Sequence, residues 1–409
     1  MLIAVVGGKL QGLEAVYLAR KAGWETLLID KNPNVPAARL CGHFIRFNFV
    51  WGKGRERFPL LEIPGHIPDI DMILPALEDR PTLEAIRAWA RYLGIPLAFD
   101  LNAFTLSSSK LESDALFNKM DLPAPRYWPG CRFPIVVKPD QASGSKGVEV
   151  YETLDAFKKA YGDSSTTNRM VIQEYITGPS YSIEVIGSPG RYRALQVTGL
   201  GMDAVYDCNQ VTAPIQLPDK LIKNFESMAV DIAQQINLCG VMDLEAVHHG
   251  DQLKLLEIDA RLPSQTPMAV YWSTGINMVE ALGDLFCQGT LRHIDRIEQQ
   301  NPRHVILEHI RVSAETVPPE SGSRNRLEIL GERIMAEDGP LSVVPGFFGA
   351  DEAITSFSPG KPDWVATMIF TSDRFEDTMA KRNLAYDQIR NASPEVFERT
   401  EPLDPPENR

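Results

Sequence analysis

The sequence predicts a mixed fold, α/β at the N-terminus and α+β beyond it, and three observations carry that reading. The chain opens with LIAVVGGKLQGLEAVYLARKAGWETLLID, an apolar strand, a glycine turn, a helical stretch and a second strand ending in Asp30. Its 409 residues exceed one ordinary core and call for two or three domains. Its middle third is dominated by short strands joined by polar and glycine-containing loops. The expected units are residues 1–81, 82–290 and 291–409.

Strand patterns at 2–6, 25–29 and 70–74 alternate with helical ones, which predicts a parallel sheet. The turn between the first strand and helix resembles a nucleotide loop only in outline. A dinucleotide fingerprint needs glycine at its first, third and sixth places. Gly7 and Gly12 fill two of these, but Lys9 takes the third. A Walker loop needs Lys and Ser or Thr after its second glycine, and Leu13 and Glu14 follow here. Asp30, where a ribose-binding acid would stand, keeps an NAD alternative open. The plainer reading is that Gly7 and Gly8 turn the backbone. Pro81 and Thr82 then open an amphipathic helix carrying Leu83, Ile86, Ala90 and Leu93. Further helices are expected near 110–120, 154–161 and 218–237. Past residue 290 come a strand in HVILEHIRVS, another in WVATMIFTSD and a helix over about 374–391. The proline- and acid-rich end, SPEVFERTEPLDPPENR, is expected to be poorly ordered.

Composition narrows the function classes. Hydrophobic residues make up 44% and charged residues 23%, the balance of a globular protein in water. A net charge of −13 with no Lys/Arg run argues against a nucleic-acid partner. Cys41, Cys131, Cys208, Cys239 and Cys287 are scattered and odd in number, which suits a reducing cytoplasm and neither a disulfide framework nor structural zinc. No apolar stretch approaches the roughly 18–20 residues of a membrane span, and no basic leader precedes the first apolar run. A cytoplasmic location is expected.

Candidate chemistry gathers in the middle third. In FPIVVKPDQASGSKGVEVY a strand ends at Lys138, and the small residues Ser143, Gly144, Ser145, Lys146 and Gly147 lead to the next strand. Such a hairpin can aim backbone N–H groups at phosphate oxygens, with Lys138 adding a point charge; an ordinary exposed turn is the alternative. In MVIQEYITGPSYSIEVIG, period-two alternation puts Ser180, Ser182 and Glu184 on one sheet face, which meets either water or a cleft. In GVMDLEAVHHGDQLKLLEIDARLPSQTP, Glu257 and Asp259 share a strand face. With a loop over 248–252, Glu245 lies diagonally opposite Glu257, and Asp243 faces the same way. Carboxylates this close repel unless a cation lies between them, and hard oxygens beside a phosphate describe magnesium. Arg261 projects the same way and can neutralise a phosphoryl group. His248 and His249 are adjacent in the turn without metal-ligand spacing and are expected at the surface.

Together these segments resemble the ATP-grasp fold, in which two α+β lobes clamp ATP and magnesium behind a Rossmann-like pre-ATP-grasp domain. The resemblance covers most of the chain. It runs through SSSKLESDALF, VVKP, SGSKGV, QEYI and LEIDAR in that order. It implies that Lys110 and Lys138 contact ATP phosphates, that Ser143 to Gly147 form the lid, and that Gln173, Glu174, Tyr175 and Ile176 hold adenine. It also implies magnesium on Glu245, Glu257 and Asp259. Many members carry a ribose-binding glutamate two residues after the hinge glycine; Ser180 stands there instead. GGKLQG with DKNP, GPSYSIEVIG, YDCNQVTAP and EIDARLPSQTP are similar to the ligases of pyrrolysine biosynthesis. Those join 3-methylornithine to the side-chain amine of L-lysine through an acyl phosphate. That resemblance implies Arg261 and Lys138 as catalytic groups and a substrate wall of Lys9, Leu10 and Gln11. Both substrates carry ammonium groups, which makes Glu184, Asp203 and Asp207 candidate acids, with Ser182 and Ser264 as hydrogen-bond partners. Other ATP-grasp carboxylate–amine ligases and a non-catalytic amino-acid-binding protein are the alternatives.

Overall fold

The computed structural model describes residues 1–409 apart from 50–68, 142–143, 145, 163–169, 298–301, 315–324 and 393–409. The acidic end of the chain and Ser143 and Ser145 of the expected lid lie outside the described residues.

The first unit is built from β1 (Leu2–Val6), α1 (Leu10–Lys21), β2 (Glu25–Asp30), β3 (His43–Arg46), β4 (Met72–Pro75) and α2 (Arg80–Leu93). Its strands form a parallel sheet ordered β3-β2-β1-β4. Both faces are covered, which is why β1 reads as an unbroken apolar run. Ile3 and Val5 pack with α1 on one face; Leu2, Ala4 and Val6 pack with Ile86, Trp89 and Ala90 of α2 on the other. Asp79 caps α2 by accepting from the Thr82 N–H at 3.0 Å, and Gly94 ends it in the left-handed region. Leu97 then bridges to Ile73. We therefore propose that this unit runs to about Leu97, with α2 inside it and not beyond residue 81.

The glycine loop is a packing device. A side chain at Gly12 would place its Cβ 1.9 Å from the Gly7 carbonyl oxygen, so only glycine lets α1 start this close to β1. Asp30 braces the same loop, its Oδ2 accepting from the Gly8 N–H at 2.7 Å and its Oδ1 from the Asn32 N–H at 2.8 Å. The acid that kept an NAD alternative open is spent on its own backbone.

α3 (Leu101–Ser107) and α4 (Lys110–Lys119) lead into a small antiparallel sheet of β5 (Ile135–Pro139), β6 (Glu149–Tyr151) and β7 (Met170–Glu174), with α5 (Leu154–Tyr161) after β6. Its order is β6-β5-β7. The remaining strands are β8 (Ser180–Ser188), β9 (Arg191–Ala194), β10 (Thr198–Met202), β11 (Cys208–Ala213), β12 (Gly240–His249), β13 (Gln252–Asp259), β14 (His304–Ala314), β15 (Asn325–Ile329), β16 (Ser342–Pro345), β17 (Glu352–Thr355) and β18 (Trp364–Ser372). Among the described residues they make one eleven-stranded sheet, β13-β12-β8-β10-β11-β14-β18-β17-β16, with β9 on β8 and β15 on β14. Because β11 pairs with β14, the sheet crosses the expected boundary at 290 without a break.

Helices frame that sheet: α6 (Asp219–Gln235), α7 (Thr266–Thr274), α8 (Met278–Gln288), α9 (Arg292–Ile297), α10 (Arg333–Glu337) and α11 (Phe375–Asn391). α6 buries Phe225 and Ile232 against Ile183, Leu244 and Ile258 on the apolar face of β8, β12 and β13. α7 and α8 were not among the expected helices. They pack against α1 on one side and the large sheet on the other, and α7 in particular has no single apolar stripe. α1 is the keel between units. Glu14 accepts from the Gln265 and Met268 N–H groups at 3.1 and 2.5 Å, and Asn277 Nδ2 donates to the Leu18 carbonyl at 2.7 Å. Tyr17 donates to Glu352 of β17 and accepts from Trp272 Nε1 at 2.8 Å.

Candidate active site

A cleft of about 450 Å³ opens between the small sheet and the polar face of the large one. Its charged lining starts with the β12–β13 hairpin. Here the expected register is corrected. His248 and His249 belong to β12, not to a turn, and pair with Leu253 and Gln252. Only Gly250 and Asp251 turn the chain, and a bulge at Leu256 absorbs the extra residue. Glu245 thus stands directly opposite Glu257, and Asp243 opposite Asp259. On the other side of β12, Ser182 faces Glu245 and Glu184 faces Asp243. Cross-strand partners share a face, so six polar side chains point one way while Ile183, Leu244 and Ile258 go to the core.

Crowding and burial set the electrostatics of that face. Burial, then the Glu257 and Asp259 charges, push the Glu245 carboxyl up to about 8. Burial pushes Asp259 up to about 7 against the pull of Arg261. Asp243 is raised well above the carboxylate range by burial and then by Asp259. Two fixed cations offset part of this charge. Lys110, at the start of α4, pairs with Glu257. Arg261 lies 2.9 Å from Asp259 Oδ2 and 2.9 Å from Glu78 Oε1.

The two lysines are set by one residue that the sequence reading passed over. Asp140 follows β5, and its Oδ1 accepts from Ser109 Oγ at 2.7 Å and the Leu111 N–H at 3.0 Å. Its carbonyl accepts from the Lys110 N–H at 3.2 Å. The strand end that carries Lys138 is therefore bolted to the helix start that carries Lys110. Burial pulls the Lys138 ammonium below the ordinary lysine range. Burial pulls Lys110 the same way, but the Glu257 carboxylate outweighs it and leaves the group above that range. Gly144 and Lys146 also line the cleft, and Gly147 holds φ +73 where the hairpin passes Pro139.

The hinge segment lines the cleft through Gln173, Glu174, Tyr175 and Ile176. The Glu174 carboxylate is engaged by Lys254 and Arg126, so it braces the hinge. Tyr175 meets Tyr206 hydroxyl to hydroxyl at 3.0 Å. Ser182, Asp207, Arg261 and Ser264 line the cleft. Glu184 lies fully buried beside Ser182 and Thr266, with burial raising its carboxyl to about 7. Other expected substrate contacts are not brought in. Lys9, Leu10, Gln11, Glu184 and Asp203 are outside the cleft lining. Gln11 reaches it only by relay, Nε2 donating to Glu78 Oε1 at 2.9 Å, the same oxygen that faces Arg261. Asp203 spends its oxygens on the Val205, Asp207 and Gly331 N–H groups, whereas Asp207, which does line the cleft, is paired with Arg333 at 2.7 Å. Glu14 and Glu332 were missed, because neither sits in a segment whose pattern announces a site.

Among the described residues no three His, Cys, Asp or Glu side chains converge as a ready metal cage. The donors on the hairpin face still fit magnesium in kind. They are all hard oxygens, and Asp243 Oδ1 is buried without a hydrogen-bond partner. Magnesium held largely by substrate phosphates needs one or two carboxylates from the protein and no closed cage.

Comparison with known proteins agrees with this architecture. Residues 107–265 match the family model for the ATP-grasp domain. A 3-methyl-D-ornithine–L-lysine ligase of Methanosarcina acetivorans is 32% identical over 93% of this chain and 95% of its own length. That of Methanosarcina mazei is 31% identical, with 93% of each chain covered. The fold is also that of a biotin carboxylase–nucleotide complex from Campylobacter jejuni, with a TM-score of 0.67 at 15% identity over 94% of this chain and 90% of that one. With its lysines, hinge and acid hairpin on one cleft and its likeness to the two Methanosarcina ligases running nearly end to end, this chain belongs to the ATP-grasp family.

Proposed function

We propose that the chain is an ATP-dependent ligase that joins the carboxylate of 3-methylornithine to the side-chain amine of L-lysine, releasing ADP and phosphate. One observation carries the reading: paired lysines and an acid face meet in a single cleft, in a chain whose 32%-identical relative bears that ligase name. Lys110, Lys138, Gly144, Lys146 and Gly147 take the ATP phosphates, with Ser143 and Ser145 in the same lid. Gln173, Glu174, Tyr175 and Ile176 form the adenine wall. Glu245, Glu257 and Asp259 are the carboxylates for magnesium, which when bound supplies charge neutralisation at the phosphates.

The chemistry follows from charge. The 3-methylornithine carboxylate and the γ-phosphate are both anions, and Arg261 and Lys138 offset their repulsion with positions already fixed by ion pairs and burial. Attack by the carboxylate oxygen on the γ-phosphorus releases ADP and leaves an acyl phosphate. The neutral lysine ε-amine then attacks the acyl carbon, phosphate departs, and the amine loses a proton. No side-chain nucleophile is needed. A cytoplasmic location is part of the proposal and rests on the five scattered, unbridged cysteines.

Incubation with ATP, magnesium and L-lysine, adding ornithine-type partners one at a time, tests the reading through ADP release and product mass. ADP release that needs both amino acids, with one water lost in the product, is expected. Absence of nucleotide turnover with every pair would refute it.

A further inference from the structure

The glycine loop GGKLQG and the loop after β4 carry side chains that the proposed reaction has not used. The two loops leave the first sheet at the same end, Gly7 after β1 and Ala76 after β4, because those strands are parallel neighbours. They are also locked together. The Ala76 N–H donates to the Val6 carbonyl at 2.8 Å, and a Cβ on Gly7, at φ +102, would lie 2.6 Å from the Ala76 carbonyl oxygen. The close start of α1 then brings Gln11 to Glu78, Nε2 donating to Oε1 at 2.9 Å. That oxygen lies 2.9 Å from Arg261 Nε. The Nε–H is not aligned on it, so this pair is held by charge.

Four carboxylates act on the Arg261 guanidinium, those of Asp259, Glu78, Asp243 and Glu332. Asp259, Asp243 and Glu332 line the cleft, where an incoming ligand reaches them; Glu78 and Gln11 do not. Asp259, which accepts from Arg261 Nη2 at 2.9 Å, is also one of the acids proposed for magnesium. If the ion draws Asp259 away, Glu78 is the ion-pair partner that still holds the guanidinium from behind. A fixed cation assists catalysis only if it is in place before the two anions meet, and a long arginine side chain has to be held there by its neighbours. We infer that Glu78, itself held by Gln11, is the positioning residue for Arg261, and that the glycine loop serves to put Gln11 on that acid. The role given to Arg261 rests on the proposed ligase reading.

The test is a double-mutant cycle on the full-length protein, with Glu78→Ala, Arg261→Lys and the two combined. Glu78→Ala should lower kcat for amino-acid-dependent ADP release by about tenfold, with the KM for ATP within about twofold. In the Arg261→Lys background the same change should cost less than about twofold, because a residue that acts through another is not additive with it. An equal loss in both backgrounds overturns the inference, since an acid that only supports the fold costs the same whichever residue faces it. A rise in the KM for ATP that accounts for the loss overturns it too. Asp79 caps α2, so truncating Glu78 leaves the helix its cap. If Glu78→Ala still fails to fold, Gln11→Ala replaces it, with a loss of about threefold that vanishes in the Arg261→Lys background. Crystal structures of the ligand-free wild type and variant need no turnover. A guanidinium that leaves its wild-type place in the variant supports the inference, and one that stays overturns it. If wild type ligates no pair of amino acids, the ligase reading falls and the structures alone decide; they decide likewise if Arg261→Lys leaves no measurable rate.

Discussion

Two acid clusters share one cleft, and they are neutralised in different ways. On the β12–β13 hairpin, Glu257 is met by Lys110 and Asp259 by Arg261, both held by the protein itself. Around Glu14, Glu184 and Glu332 the described residues hold no ion pair: backbone N–H groups serve Glu14, Ser182 and Thr266 lie against Glu184, and Ser264 and Gln265 lie against Glu332. The first arrangement can exchange partners, with a divalent ion and phosphates displacing the contacts among lysine, arginine and carboxylate. The second is held by neutral donors, and burial raises each of its carboxyls, so a proton neutralises it. Counting acids in the sequence does not separate the two; their counter-charges do.

The contrast is open to attack from several sides. Lys138→Ala should lower ADP release by about 100-fold or more, because it removes fixed positive charge from a buried phosphate site; undiminished turnover would mean that phosphates bind elsewhere. Glu257→Gln should cost about tenfold or more in activity, and added magnesium should restore part of the loss, which a titration of initial rate against magnesium reads directly.

The inner pocket should show itself through pH. Burial holds Glu14 at about 8 and Glu184 at about 7, above the ordinary 4.5, so the folded state binds these protons more tightly than the unfolded state. Their stabilisation is complete below that ordinary value and is lost as pH rises through 7 to 8. The thermal midpoint of the ligand-free protein should therefore fall by about 2–5 °C between about pH 6 and pH 9. Glu14→Gln should flatten the fall, and an unchanged slope would remove Glu14 from the account. Tyr17→Phe should destabilise by about 1–3 kcal/mol, since Glu352 and Trp272 both lose a buried partner, while both substrate KM values stay put. Lys9→Ala should do least, within about twofold on any KM, because Lys9 is exposed and outside the cleft lining.

Much of this molecule was legible before its structure. Strands read from apolar runs and from period-two alternation, and amphipathic helices such as α2 and α6 read from their stripes. Lys138 at a strand end, and Glu257 and Asp259 two apart, announced the cleft, because spacing within one strand fixes a shared face. The turn at 248–252 was misjudged, since one bulged residue at Leu256 shifts a register that no local pattern reports. α7 was missed because it is buried nearly all round, whereas α8 carries its Asn277 cap and Gly289 stop in the sequence and was legible there.

The sequence by itself determined the apolar strands, the amphipathic helices and the residue types of the phosphate end, for those depend on period and spacing along one strand or loop. Only the tertiary structure decided which acids meet. Glu14 and Glu332 stand 318 positions apart and act on the same cleft wall, because α1 and α10 are brought to it by packing. Electrostatic interaction depends on distance through space and on burial, and neither is written in separation along the chain.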